Sequence, residues 1–83
     1  MFQLTMYNRQ DHPISVQVDP FANTYRLAPG ENITFVVEAS GDDQTMDLEE
    51  FQDGFRILTM ASWLEYWVIR YGKKYHWKDY GGD

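Results

Sequence analysis

The sequence contains no cysteine, only two histidines and three prolines, and no apolar run approaching the roughly 18 residues that a membrane-spanning helix needs. Without cysteine there is no disulfide, thiolate nucleophile, zinc knuckle or iron–sulfur cluster, and the composition suits a reducing compartment. His12 precedes a proline and His76 lies among aromatic residues, neither with a second imidazole at metal-ligand spacing, so no zinc or copper site is expected. Serine occurs only at positions 15, 40 and 62, outside any nucleophile elbow, and no glycine-rich phosphate loop or dinucleotide fingerprint is present. Acyl and phosphoryl transfer therefore lack their residue types, and the sequence predicts a protein that is not an enzyme and takes no cofactor. Basic residues are also scarce: seven stand against thirteen acidic ones, and the net charge of −6 opposes binding to nucleic acid and to anionic membranes. No basic start followed by a short apolar stretch opens the chain, so the expected location is the cytoplasm.

What the chain has in quantity is aromatic and aliphatic bulk. Of its 83 residues 43% are apolar, with five Phe, three Trp and six Tyr, far more than a disordered chain carries. The length allows one hydrophobic core and hence one domain, expected over 1–80 with a flexible tail at 81–83. A chain of this size buries only about 60 to 65% of its unfolded surface, and with no disulfide or metal cluster its stabilisers are the aromatic load and association. A second copy or a partner protein is therefore expected.

Turn signals recur every eight to twelve residues, at Asp11-His12-Pro13, Asp19-Pro20, Pro29-Gly30, Gly41-Asp42-Asp43, Asp53-Gly54 and Gly72-Lys73, the spacing of short antiparallel strands. Phe2, Leu4 and Met6 alternate with Gln3, Thr5 and Tyr7; Ile14, Val16 and Val18 alternate with Ser15, Gln17 and Asp19. Ile33, Phe35, Val37 and Ala39 give the cleanest period of two. The second half also carries helix signals. Asp47 with Glu50 and Ser62 with Glu65 have capping-box spacing, which leaves an α+β alternative with a C-terminal helix around 62–71. The Asp53-Gly54 pair, the β-formers of 55–60 and the nearly apolar stretch 63–71 favour strands. The expectation is an all-β fold, a small antiparallel β-sandwich or flattened barrel of seven to eight short strands.

The segment from Val16 to Trp77 resembles small bacterial all-β proteins that carry Val-acidic-Pro-aromatic, then a Leu-x-Pro-Gly turn, then an apolar strand. Here those motifs are Val18-Asp19-Pro20-Phe21, Leu27-Ala28-Pro29-Gly30 and residues 33–38, and the resemblance covers about three quarters of the chain. Its motifs are turns and alternations, so it implies a β fold and no activity, ligand or site. The sequence departs from the pattern after Gly72, where Tyr75, Trp77 and Tyr80 stand among Lys73, Lys74, His76 and Lys78.

Two surfaces are candidates for function. Positions 31–53 hold eight acidic residues and no basic one, and Asp42, Asp43, Asp47, Glu49, Glu50 and Asp53 form the acidic patch. Its order lacks the alternate ligands and central glycine of an EF-hand, so the patch predicts a solvated edge or a surface for a basic partner. Positions 54–80 instead hold five basic residues against two acids, a segregation that also permits head-to-tail pairing of copies. The Asn32-Ile33-Thr34 glycosylation triplet has no secretory context. The aromatic stretch is denser, with seven rings in the 18 residues from Trp63 to Tyr80. Strict alternation puts Trp63, Trp67, Ile69 and Tyr71 on one face and Leu64, Tyr66 and Val68 on the other, so both faces call for cover. Trp63, Tyr66, Trp67, Tyr71, Tyr75 and Trp77 are therefore the candidate interface residues. The leading functional expectation is a non-catalytic interaction or accessory β-domain that self-associates. A module stacking sugars or bases on the C-terminal rings, and an acidic inhibitor of a basic partner, are the alternatives.

Overall fold

Period-two alternation sorts side chains to the two faces of a strand, and among the described residues the chain forms eight strands and no helix. The computed structural model describes residues 1–40, 46–59, 63–80 and 82. Strands β1 (Phe2–Tyr7), β4 (Asn32–Ala39), β7 (Trp63–Arg70) and β8 (Lys73–His76) form one sheet in the order β1-β4-β7-β8. Strands β2 (Ile14–Asp19), β3 (Asn23–Leu27), β5 (Asp47–Phe51) and β6 (Gly54–Leu58) form the other in the order β3-β2-β6-β5. The inward rows meet in one core. Val16, Val18, Tyr25, Leu27 and Ile57 come from the second sheet, and Ile33, Phe35, Val37, Tyr66 and Val68 from the first, all fully buried. The fold is thus the all-β sandwich that the alternation predicts, and the C-terminal helix is replaced by β7.

Turn chemistry sets the connections. Between β3 and β4, Pro29 and Gly30 occupy the two central turn positions, Gly30 has φ 84°, and the Glu31 amide donates to the Ala28 carbonyl at 3.0 Å, the geometry of a type II turn. The hairpin between β5 and β6 turns on Gln52 and Asp53, one residue earlier than the Asp53-Gly54 signal suggests, and Gly54 opens β6 opposite Phe51. The reason lies across the sheet. Gly54 pairs with Ser15, and a Cβ at position 54 would overlap the Ser15 carbonyl.

The sheets are not wholly antiparallel, because β2 and β6 run parallel from Ser15↔Gly54 to Asp19↔Leu58. A parallel pair cannot be closed by a hairpin, and here the chain leaves for β4 in the other sheet before the β5–β6 hairpin returns it alongside β2. A second departure from the alternation is a bulge. Glu38 pairs with Glu65 but Ala39 pairs with Trp63, so Leu64 is an extra residue on β7. The bulge shifts Trp63 to the inner face beside Tyr66 and leaves Leu64 exposed, where uninterrupted alternation puts Trp63 with Trp67.

Asn8 fastens the β1–β2 connection. It is buried, its Nδ2 donates to the carbonyls of His12 (2.9 Å) and Leu27 (3.0 Å), and its Oδ1 accepts from the Gln10 amide at 2.9 Å. Its backbone also exchanges hydrogen bonds with Glu31 and Gly30, each at 2.9 Å. One side chain thus satisfies the backbone groups of a loop that has no strand partner of its own.

Candidate functional site

The six aromatic interface candidates divide into core and surface. Trp63 and Tyr66 are 5% and 0% exposed and belong to the core, so neither can supply a contact surface. The Tyr66 ring lies within 6 Å of Phe21 (4.9 Å), Trp63 (5.6 Å) and Phe35 (5.8 Å), each pair steeply tilted in the edge-to-face manner that aromatic quadrupoles favour. Trp77 is half-buried, stacked on Tyr66 with 23° between planes and edge-on to Phe21. Its ring turns back onto the core.

A hydroxyl chain ties these rings together. Asn23 donates to the Tyr66 hydroxyl, the Tyr66 and Tyr25 hydroxyls are 2.9 Å apart, and Tyr25 donates to the Tyr80 carbonyl at 2.8 Å. Because Tyr25 gives its one hydroxyl proton to the Tyr80 carbonyl, it must accept from Tyr66, so the order is Tyr66 donating to Tyr25 and Tyr25 donating to Tyr80. Burial, followed by the neighbouring Tyr66, pushes the Tyr25 phenol above its usual range. Burial likewise raises Tyr66.

Trp67 faces outward from the first sheet, half-buried, with Val36 on one side and His76 on the other in register. Lys74 places its ammonium 5.4 Å from the Trp67 ring centre, the His76 ring meets Trp67 edge-on at 5.6 Å, and His76 Nε2 lies 2.6 Å from Glu65 Oε1. The polar neighbours of its own sheet therefore cover much of the outward indole.

Tyr71 and Tyr75 remain at the surface, and the fold joins them to Tyr80 and Asp79, which the sequence pattern does not single out as partners. These four residues line a concavity of about 190 Å³ beside the β7–β8 hairpin. Behind it lies Arg70, buried, whose Nη1 donates to the Tyr80 hydroxyl at 2.7 Å, whose Nη2 donates to the Arg26 carbonyl, and whose charge faces Glu31 at 3.6 Å. A strand period of two places position 70 inward, but only the tertiary structure provides the acceptors that make a buried guanidinium tolerable.

The acidic patch lies on β5. Asp47, Glu49 and Glu50 are exposed on that edge strand and Asp53 in the following turn, whereas Asp42 and Asp43 lie outside the described residues. Arg56 on the adjacent strand reaches both Glu49 and Asp19 at 3.2 Å. Among the described residues no group of three or more His, Asp or Glu could hold a metal ion. A concavity of about 360 Å³ lies where the end of β1 meets the β5–β6 turn and is lined by Tyr7, Arg9, His12, Glu50 and Phe51 among others, a mixed set with no nucleophile–base pair.

The four sheet edges differ. Edge β5 carries carboxylates, and β8 is four residues long with Lys73 and Lys74. Edge β3 is met by Gly82, which bridges Thr24. Edge β1, six residues from Phe2 to Tyr7, has no charge, proline or glycine, and among the described residues no strand lies beyond it. Compared with known proteins, the chain matches no family model, no curated protein and no solved structure.

Proposed function

We propose that the protein is a non-catalytic interaction domain that self-associates through the uncovered edge of β1. The observation that carries this reading is the contrast among the edges. Natural sheets protect their edges with charge, shortness or cover, and β3, β5 and β8 each use one of these devices while β1, among the described residues, uses none. Two copies meeting antiparallel about Thr5 put Thr5 opposite itself and Gln3 opposite Tyr7, which opposes no charges, whereas the same pairing would oppose carboxylates at β5 or ammonium groups at β8. The inward residues Phe2, Leu4 and Met6 are only half-buried, so pairing also removes apolar surface from water. A cysteine-free oligomer of this kind suits the cytoplasm.

The test is the solution mass against concentration and salt. Wild-type protein should form a dimer at micromolar concentrations, and the Gln3→Lys, Thr5→Lys double variant should remain monomeric with its fold unchanged. Each copy carries −6, and Tyr7 of β1 shares a concavity with Glu50 of β5, so pairing brings acidic strands together and salt should tighten the dimer. A strict monomer up to about 100 μM overturns the proposal; that concentration sets a threshold of about 5.5 kcal/mol of association free energy. Use of the acidic patch to inhibit a basic partner predicts the opposite salt response.

A further inference from the structure

We infer that Tyr71, Tyr75, Tyr80 and Asp79 form a receptor for the trimethylammonium head of a small molecule. This goes beyond self-association and uses a different surface. Three aromatic rings and one carboxylate line the concavity of about 190 Å³, and the Tyr75 and Tyr80 rings stand 5.2 Å apart at 65°, as two adjoining walls. The walls are held from behind. The Tyr80 carbonyl accepts from Tyr25, its hydroxyl accepts from Arg70, and the amides of Asp79 and Tyr80 both donate to the His76 carbonyl, at 2.9 and 3.1 Å. A site so fixed loses little freedom when a ligand enters.

The third wall is where the fold departs from what stability favours. Tyr71 and Gly72 form the two-residue loop of the β7–β8 hairpin with φ of 53° and 75°. Such a loop favours Asn, Asp or Gly at its first position, and a tyrosine held at positive φ is strained. The ring is 71% exposed, so burial does little to offset that strain. Its position beside the concavity, with the Arg70 guanidinium 4.9 Å from its centre, gives the residue a reason to be there.

The lining selects the ligand. Ring faces are electron-rich and attract cations; the Arg70 guanidinium that touches the Tyr71 ring and the Tyr80 hydroxyl is balanced by Glu31 at 3.6 Å, and Asp79 adds a further negative charge at the concavity. A primary ammonium brings three N–H donors and a tight hydration shell, whereas the site offers one carboxylate and phenol oxygens, one of them already accepting from Arg70. A quaternary ammonium has no N–H to satisfy and sheds its water readily, so it is the cation that this cage suits. An anion is repelled by Asp79, and a sugar would find too few hydrogen-bonding partners.

Choline and its neutral carbon isostere, 3,3-dimethylbutan-1-ol, are the probes. Titration of the full chain, followed by NMR, should move the choline N-methyl signal upfield through ring currents and give contacts to the Tyr71, Tyr75 and Tyr80 rings, with a Kd on the order of 1 mM. The isostere should bind at least tenfold more weakly, and Asp79→Asn should weaken choline several-fold. Tyr71→Gly separates binding from folding: glycine suits the turn, so the melting temperature should hold or rise while choline binding is lost. Equal binding of choline and isostere, or choline binding unaffected by Tyr71→Gly, overturns the proposal, as does the absence of any choline signal in the wild type. None of these outcomes depends on whether β1 pairs.

Discussion

Replacing Asn8 with alanine should cost about 2–4 kcal/mol of stability, although Asn8 lies outside both β1 and the concavity of Tyr71, Tyr75, Asp79 and Tyr80. The substitution removes three side-chain hydrogen bonds, two donated to His12 and Leu27 carbonyls and one accepted from the Gln10 amide. Hydrogen bonds contribute about 1 kcal/mol each on average, and the bond to the Leu27 carbonyl is buried, where water cannot replace it. Water can reach the other two groups and recover part of their loss. Against a total of about 4–12 kcal/mol for a domain of this size, that is a large fraction, equivalent to a fall in melting temperature of roughly 10–25 °C. Urea unfolding is the assay, with the midpoint lowered and the slope unchanged. Asn8→Asp sharpens the test. It keeps the acceptor for Gln10 but turns a carboxylate oxygen toward two carbonyls, so at neutral pH it should be worse than alanine, and acidification that protonates the new carboxyl should narrow the gap. A loss below about 0.5 kcal/mol for Asn8→Ala, the size of an ordinary surface change, would refute the assignment of Asn8 as the fastening of this loop.

Gly54→Ala should destabilise by about 2–3 kcal/mol, because its Cβ overlaps the Ser15 carbonyl and must spread the parallel β2–β6 pair. Gly30→Ala, with open space around it and only its φ of 84° to object, should cost about 1 kcal/mol; a reversed order in chemical denaturation would contradict the close approach. Stability should also fall above about pH 10, where unfolded tyrosines ionise. Tyr25 and Tyr66 are raised by burial, so the native state keeps protons that the unfolded state releases; their stabilising effect is present below that pH and is lost as pH rises. Absorbance at 295 nm should show at least two of the six tyrosines titrating only with unfolding, and six ionising together with an unchanged circular dichroism spectrum would contradict the buried hydroxyl chain.

The strands themselves are local consequences of the sequence. Alternation at Phe2 to Tyr7, Ile14 to Asp19 and Ile33 to Ala39 needs no knowledge of a partner, because a pleated strand sorts its side chains by parity. Pro29-Gly30 likewise specifies its own turn, since one residue fixes φ and the other accepts a positive one. The absence of cysteine and of nucleophile or phosphate-loop motifs is equally plain from the sequence.

Tertiary structure decided what parity cannot. A single bulge opposite Glu38 and Ala39 moved Trp63 from the outer face to the core, because an inserted residue reverses parity on one side and leaves no signature in composition. The parallel pairing of β2 with β6, the use of Asn8 as a loop fastener and the buried Arg70 all depend on groups at least nineteen positions away, at Gly54, Leu27 and Arg26. The surface rings followed the same rule. Sequence density pointed to Trp77 alongside Tyr71 and Tyr75, but Trp77 found Phe21 and Tyr66, and the turn after β8 brought Asp79 and Tyr80 to the concavity in its place. Strand identity is set residue by residue along the backbone, whereas which aromatic ring is core and which is surface is set by packing between two sheets.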